Sequence, residues 1–264
     1  MKKSLCLGFA LLFVLCCGCG QKADYYAILA ETADFDYDGA QDVTFTYDFS
    51  DPVLIELDET WGLREIAGEG DTLPRALHLM RWLRAHTNKV SKSKFRGSLN
   101  AAEILFFAFD NKRVGLNCKQ YSAAFSEMLM AVGIKAKAMW CYPAVDEDEN
   151  HVVVRVYLPE ESRWVMLDPS FDLCVMDETG RILDAWELRQ RLAGRAPLRL
   201  NEGFVYRGTQ QDYFDYMAKD MCYFTCRKDT RFGGNEMGQV VYLLPADTTV
   251  GGEALIATYE SFWR

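Results

Sequence analysis

The chain has 264 residues, 50% of them hydrophobic and 25% charged, with a formal net charge of −9. Hydrophobic content at this level excludes a disordered polymer and is enough for one substantial core. Lys and Arg concentrate only over residues 89–96, so no basic face exists for phosphates and a nucleic-acid role is excluded. No internal repeat and no Pro- or Gly-rich linker divides the sequence, which implies one domain behind an N-terminal tail.

The tail opens on Met1-Lys2-Lys3, runs through the apolar stretch Leu5 to Leu15, and ends in Cys16-Cys17-Gly18-Cys19-Gly20 before the polar Gln21-Lys22. An apolar run of about a dozen residues is too short to cross a membrane and fits a signal-peptide core. The pattern resembles a bacterial lipoprotein signal covering residues 1–19. That resemblance implies export, lipidation of Cys19 and anchoring to a membrane of the cell envelope. Cys16 stands where such signals usually carry an aliphatic residue, and a plain secretory signal is the alternative. Export leaves Cys118, Cys141, Cys174, Cys222 and Cys226. An odd set outside the cytoplasm keeps at least one thiol unpaired. Cys222 and Cys226 have no second couplet and no nearby histidine, so no metal site is expected there.

Residues 20–60 are acidic and read as a tether or brace, with Val43 to Tyr47 alternating as a strand would. A helix is expected from Asp71 or Thr72, with Pro74 in its first turn and Leu77, Met80, Trp82 and Leu83 along it. Lys89 to Lys94 reads as a polar loop. Asn100 and Glu103 form a capping box for a second helix carrying Ile104, Leu105, Phe106 and Phe109. Gly115 gives a turn, Asn117 caps a third helix with Gln120 at its third position, and Gly133 ends it in a left-handed cap. Cys118 then occupies the first helical position, where free N–H groups and the helix dipole favour a thiolate.

Beyond Gly133 the period becomes alternating. Strands are expected from Ile134 to Trp140, from His151 to Leu158 and from Trp164 to Asp168, with the acidic segment Asp146 to Asn150 between the first two. Pro169 ends the third. If Leu158 and Arg163 close the hairpin, Val153 opposes Asp168 and His151 is its diagonal neighbour on the same side of the sheet. A helix over Trp186 to Leu192 and a strand over Val240 to Leu244 complete the chain.

Of the three histidines, His78 and His86 lie on the first expected helix, and His151 alone sits at a strand end beside a carboxylate. In a Cys–His–Asp set the thiolate attacks an acyl carbon, the imidazolium protonates the leaving amine, and the carboxylate orients the ring. Taken singly, Cys118 reads as a small buried hydrophobe, His151 as a satisfied strand-end residue and Asp168-Pro169 as a turn initiator. Their order and placement favour the chemical reading.

Gly115-Leu116-Asn117-Cys118 at a helix start, Asn150-His151-Val152-Val153-Val154, and Trp164-Val165-Met166-Leu167-Asp168-Pro169 together resemble the transglutaminase-like superfamily. The resemblance implies an α+β fold with a papain-like core, N-terminal helices packed on an antiparallel sheet. It places the domain over 61–264 and the core motif over 112–172. It also implies roles for Cys118 as nucleophile, His151 as general base and acid, and Asp168 as orienting carboxylate. The expected substrate is a peptide or protein amide, with a glycan or peptidoglycan association left open; no cofactor is called for. Hydrolysis is favoured over amine cross-linking, because water is the abundant acceptor. A non-catalytic binding or assembly module of the same fold is the alternative. The family's upstream aromatic or Gln oxyanion donor is missing, since Leu99 to Asn117 contains no Trp, Tyr or Gln. The backbone N–H of Cys118 is the donor that remains.

Overall fold

Caps and turns divide the chain into helices first and strands second. The computed structural model describes residues 23–110, 115–144, 149–231, 239–248 and 254–264. Cys19 and its leader, and all of the acidic loop Asp146 to Asn150 before Glu149, lie outside these. Six helices come first: α1 (Tyr25–Glu31), α2 (Pro52–Trp61), α3 (Leu63–Ala67), α4 (Thr72–His86), α5 (Ala101–Asp110) and α6 (Cys118–Ala131). Strands β1 (Ala136–Tyr142), β2 (His151–Leu158), β3 (Arg163–Asp168) and β4 (Leu173–Met176) follow. The remainder is α7 (Ala185–Ala193), β5 (Arg199–Leu200), α8 (Gln210–Asp220), β6 (Tyr223–Arg227), β7 (Val240–Leu243), β8 (Leu255–Ile256) and α9 (Tyr259–Phe262).

The strands form one sheet in the order β5-β4-β3-β2-β1-β6-β7-β8. Pairing is antiparallel except between β7 and β8. The Leu158–Arg163 closure holds, and Val154 pairs with Leu167. Both faces are covered, which is why β2 is an almost unbroken apolar run. Val154 and Val156 join the core beneath α2 to α6, whereas Val153 and Met166 join the core beneath α7 and α8.

Double coverage has two consequences. Lys137 in β1 is buried, and its ammonium donates to the carbonyl oxygens of Thr46 (3.0 Å) and Asp229 (2.5 Å). Residues 43–47 form no strand: Val43 and Phe45 are buried, while the Thr46 carbonyl is taken by Lys137 instead of a ladder. Gly133 has the expected positive φ of 82°. α4 begins at Thr72, where the Glu160 carboxylate accepts from the Thr72 N–H (2.9 Å) and hydroxyl (2.8 Å).

Candidate active site

The position of Cys118 is built by local capping. The Asn117 side chain accepts from the Gln120 N–H at 3.1 Å, and Gln120 Oε1 accepts from the Asn117 N–H at 2.9 Å. This capping box starts α6 at Cys118. Upstream, Leu116 exchanges backbone hydrogen bonds with Asn88 and Val90 at 2.8 and 2.9 Å. The supposed polar loop is therefore partly a clamp on the segment that carries the cysteine. Gly115 makes the clamp possible: a Cβ there would lie 2.6 Å from the Asn88 oxygen and 2.5 Å from Val90 Cγ1. One turn into α6, the Ser122 hydroxyl donates to the Val152 carbonyl at 2.8 Å. That bond ties the helix bearing Cys118 to the residue after His151.

His151 begins β2 and Asp168 ends β3, both fully buried. His151 Nε2 lies 2.6 Å from Asp168 Oδ2, so the diagonal relation expected from the hairpin closes into a hydrogen bond. Asp168 also accepts from the Ser170 N–H on Oδ1 (3.0 Å) and from the Tyr213 hydroxyl on Oδ2 (3.1 Å). A carboxylate so anchored holds its ring in one orientation. Asp168 takes Nε2, which leaves Nδ1 as the ring nitrogen available to the thiol; Nδ1 itself has no hydrogen-bond partner within normal geometry. Phe171 stacks on the His151 ring at 6.0 Å and Tyr216 meets it edge-on at 5.1 Å.

Cys118 is half-buried. Burial acts most strongly on its thiol and pushes the pKa up. The hydrogen-bonding and charge of His151, the Lys89 ammonium and the Val152 N–H together outweigh it, so the pKa falls below the usual cysteine value. Burial favours the neutral form of His151, but the Asp168 carboxylate and then the Cys118 sulfur raise its pKa well above the ordinary histidine range. Both shifts favour a thiolate–imidazolium pair. Lys89 is placed for its part, with its ammonium 5.4 Å from the centre of the Phe171 ring.

Sequence reasoning thus located Cys118, His151 and Asp168, which the fold brings together, and missed Lys89, Phe171, Tyr213 and Tyr216. The last two sit on α8, which sequence reasoning did not anticipate. Its signal was present: Thr209 and Asp212 form a capping box, followed by Tyr213, Phe214, Met217 and Ala218 at helical spacing. The Cys141, Cys174, Cys222 and Cys226 thiols are all unpaired. Among the described residues no group of three or more His, Cys, Asp or Glu side chains is disposed to hold a metal ion.

Residues 62–169 match the family model described as the transglutaminase-like superfamily. No curated protein matches the chain. Among solved structures, the periplasmic domain of TgpA from Pseudomonas aeruginosa aligns at 17% identity with a TM-score of 0.32, covering 55% of this chain and 46% of that one. A structure described as a "putative cysteine protease" from Cytophaga hutchinsonii aligns at 11% identity with a TM-score of 0.33, covering 59% and 53%. The chain thus spans about half the length of each. The matched stretch runs from α3 to the end of β3 and holds Cys118, His151 and Asp168, so this part of the chain is similar to the transglutaminase-like superfamily.

Proposed function

We propose that this chain is a cysteine enzyme that cleaves peptide or protein amides through a thioester acyl-enzyme. The observation that carries the reading is the buried 2.6 Å His151–Asp168 bond beside a thiol whose pKa is lowered. The Cys118 thiolate attacks the amide carbon, and its backbone N–H, free at the start of α6, donates to the developing oxyanion. The imidazolium gives its Nδ1 proton to the leaving amine as the C–N bond breaks. Neutral His151 then takes a proton from water, which attacks the thioester and releases the acid and the thiol. Water is the preferred acceptor because it is abundant wherever solvent reaches the half-buried sulfur. Export and lipidation at Cys19 complete the proposal and place the site at the cell envelope. Among the described residues no helix is long and apolar enough to cross a membrane. In this proposal the lipid on Cys19 makes the attachment, and a Cys19→Ser variant should leave the membrane fraction.

The test is the alkylation rate of each thiol by mass spectrometry from about pH 5 to about pH 9, in wild type and His151→Ala, followed by burst kinetics with p-nitrophenyl acetate. Rapid alkylation of Cys118 below neutral pH, lost in His151→Ala, together with a burst of one acyl group on Cys118, is the expected result. A Cys118 that behaves as an ordinary thiol in both proteins overturns the reading.

A further inference from the structure

One face of α8 carries Tyr213, Tyr216 and Asp220, spaced three and four residues apart so that all three point to one side of the helix. The first two meet the site already described, Tyr213 through Asp168 (3.1 Å) and Tyr216 through the ring of His151 (5.1 Å). Asp220 is wholly buried, and neither of its carboxylate oxygens has a hydrogen-bond partner. A buried carboxylate without donors is costly when charged, and its surroundings must account for it.

Few described ionisable groups are electrostatically linked to it: Tyr216 and Lys219 from α8 itself, His151 from β2, Cys141 from β1, Cys222 from the turn into β6, and Glu149 from the segment before β2. The Lys219 ammonium is already paired with Glu149. Tyr216, Cys141 and Cys222 bring no positive charge. Cys141 lies directly opposite His151 in the sheet register, so α8 covers the imidazole's own strand pair. His151 is the remaining cation in the set. Burial pushes the Asp220 carboxyl up to about 6, and the His151 charge is the largest influence drawing it back down.

The geometry points to Asp220 as a second carboxylate acting on His151: a positioning residue that, with Asp168 from β3, strengthens the ring's hold on its proton. The effect is reciprocal, because a cation that stabilises the ionised carboxylate is itself stabilised by it. Asp168 fixes the ring by a direct bond, and Asp220 adds charge through the protein interior without one. The role deepens the proposed thioester chemistry, since the imidazolium is what protonates the leaving amine.

The test is a pH titration of the three histidine rings by proton–nitrogen NMR in the full chain, for wild type, Asp220→Asn and Asp220→Leu. The His151 midpoint is expected to fall by about half a unit to two units in both variants. Thermal stability should hold or rise, because an unpartnered buried charge is gone. In wild type the His151 signals should also carry a second inflection near the titration of Asp220. A folded variant with an unchanged His151 midpoint overturns the inference, and so does a wild-type titration without that second inflection. Neither readout depends on Cys118 reactivity, so a failure here and a failure of the acyl-enzyme reading show themselves in different experiments.

Discussion

At the scale of single residues, the Cys118 thiolate depends on a chain of contacts in which each link can be cut separately. His151→Ala removes the main influence holding the thiol down, so its pKa should climb toward the free value of about 8.5. Alkylation of Cys118 at pH 6 should then slow at least about tenfold. Asp168→Asn keeps the shape but removes the charge that fixes the ring, and acylation by p-nitrophenyl acetate should fall by about 10³- to 10⁴-fold. Tyr213→Phe deletes one of three hydrogen bonds to that carboxylate. Its effect should be smaller, about tenfold, in keeping with a bond to a charged group worth about 1.5–3 kcal/mol. His151 also links stability to pH. Its folded pKa is raised, so the stability it contributes is complete below the unfolded value of about 6.5 and is lost as pH rises toward the folded one. Denaturant midpoints should therefore fall more steeply on the alkaline side in wild type than in His151→Ala; parallel curves would contradict the raised pKa.

At the scale of elements, the helix that carries the cysteine is held at its start, its second turn and its approach. Asn117→Ala breaks the capping box and should cost about 1 kcal/mol of stability in denaturant melts. Gly115→Ala should cost about 1–3 kcal/mol, since its Cβ would meet the Asn88 oxygen at 2.6 Å and force the clamp open; Cys118 alkylation should lose its acidic limb in the same variant. Elements of this kind were the legible ones. Asn117, Gln120 and Gly133 state the ends of α6 in local chemistry, and the two-residue alternation around Leu158 and Arg163 states the hairpin. The approach of 88–90 to Leu116 was not legible, because its bonds are backbone to backbone and leave no side-chain signature. Residues 43–47 misled for a related reason: alternation reports burial on one side, and here burial came without a ladder partner.

At the scale of the whole molecule, one sheet separates two cores, and the site draws on both. Cys118 comes from the helical side, whereas His151 and Asp168 stand with Val153 and Met166 toward α8. Because the two cores share every central strand, Leu129→Ala on one side and Met217→Ala on the other should each lower a single unfolding transition, by about 2–5 kcal/mol, instead of splitting it in two. The proximity of Cys118, His151 and Asp168 could be read from the sequence because they lie on adjacent, locally capped elements. The contribution of α8 could not, since it depends on a return of the chain more than forty residues beyond Asp168. The five described cysteines have a further use. Cys118 is partly open to solvent, while Cys141, Cys174, Cys222 and Cys226 are sealed beneath the helices on either side of the sheet. The native protein therefore carries its own clock. In a labelling time course Cys118 marks zero, and the delay at each sealed sulfur measures how often its own segment breathes free of its neighbours.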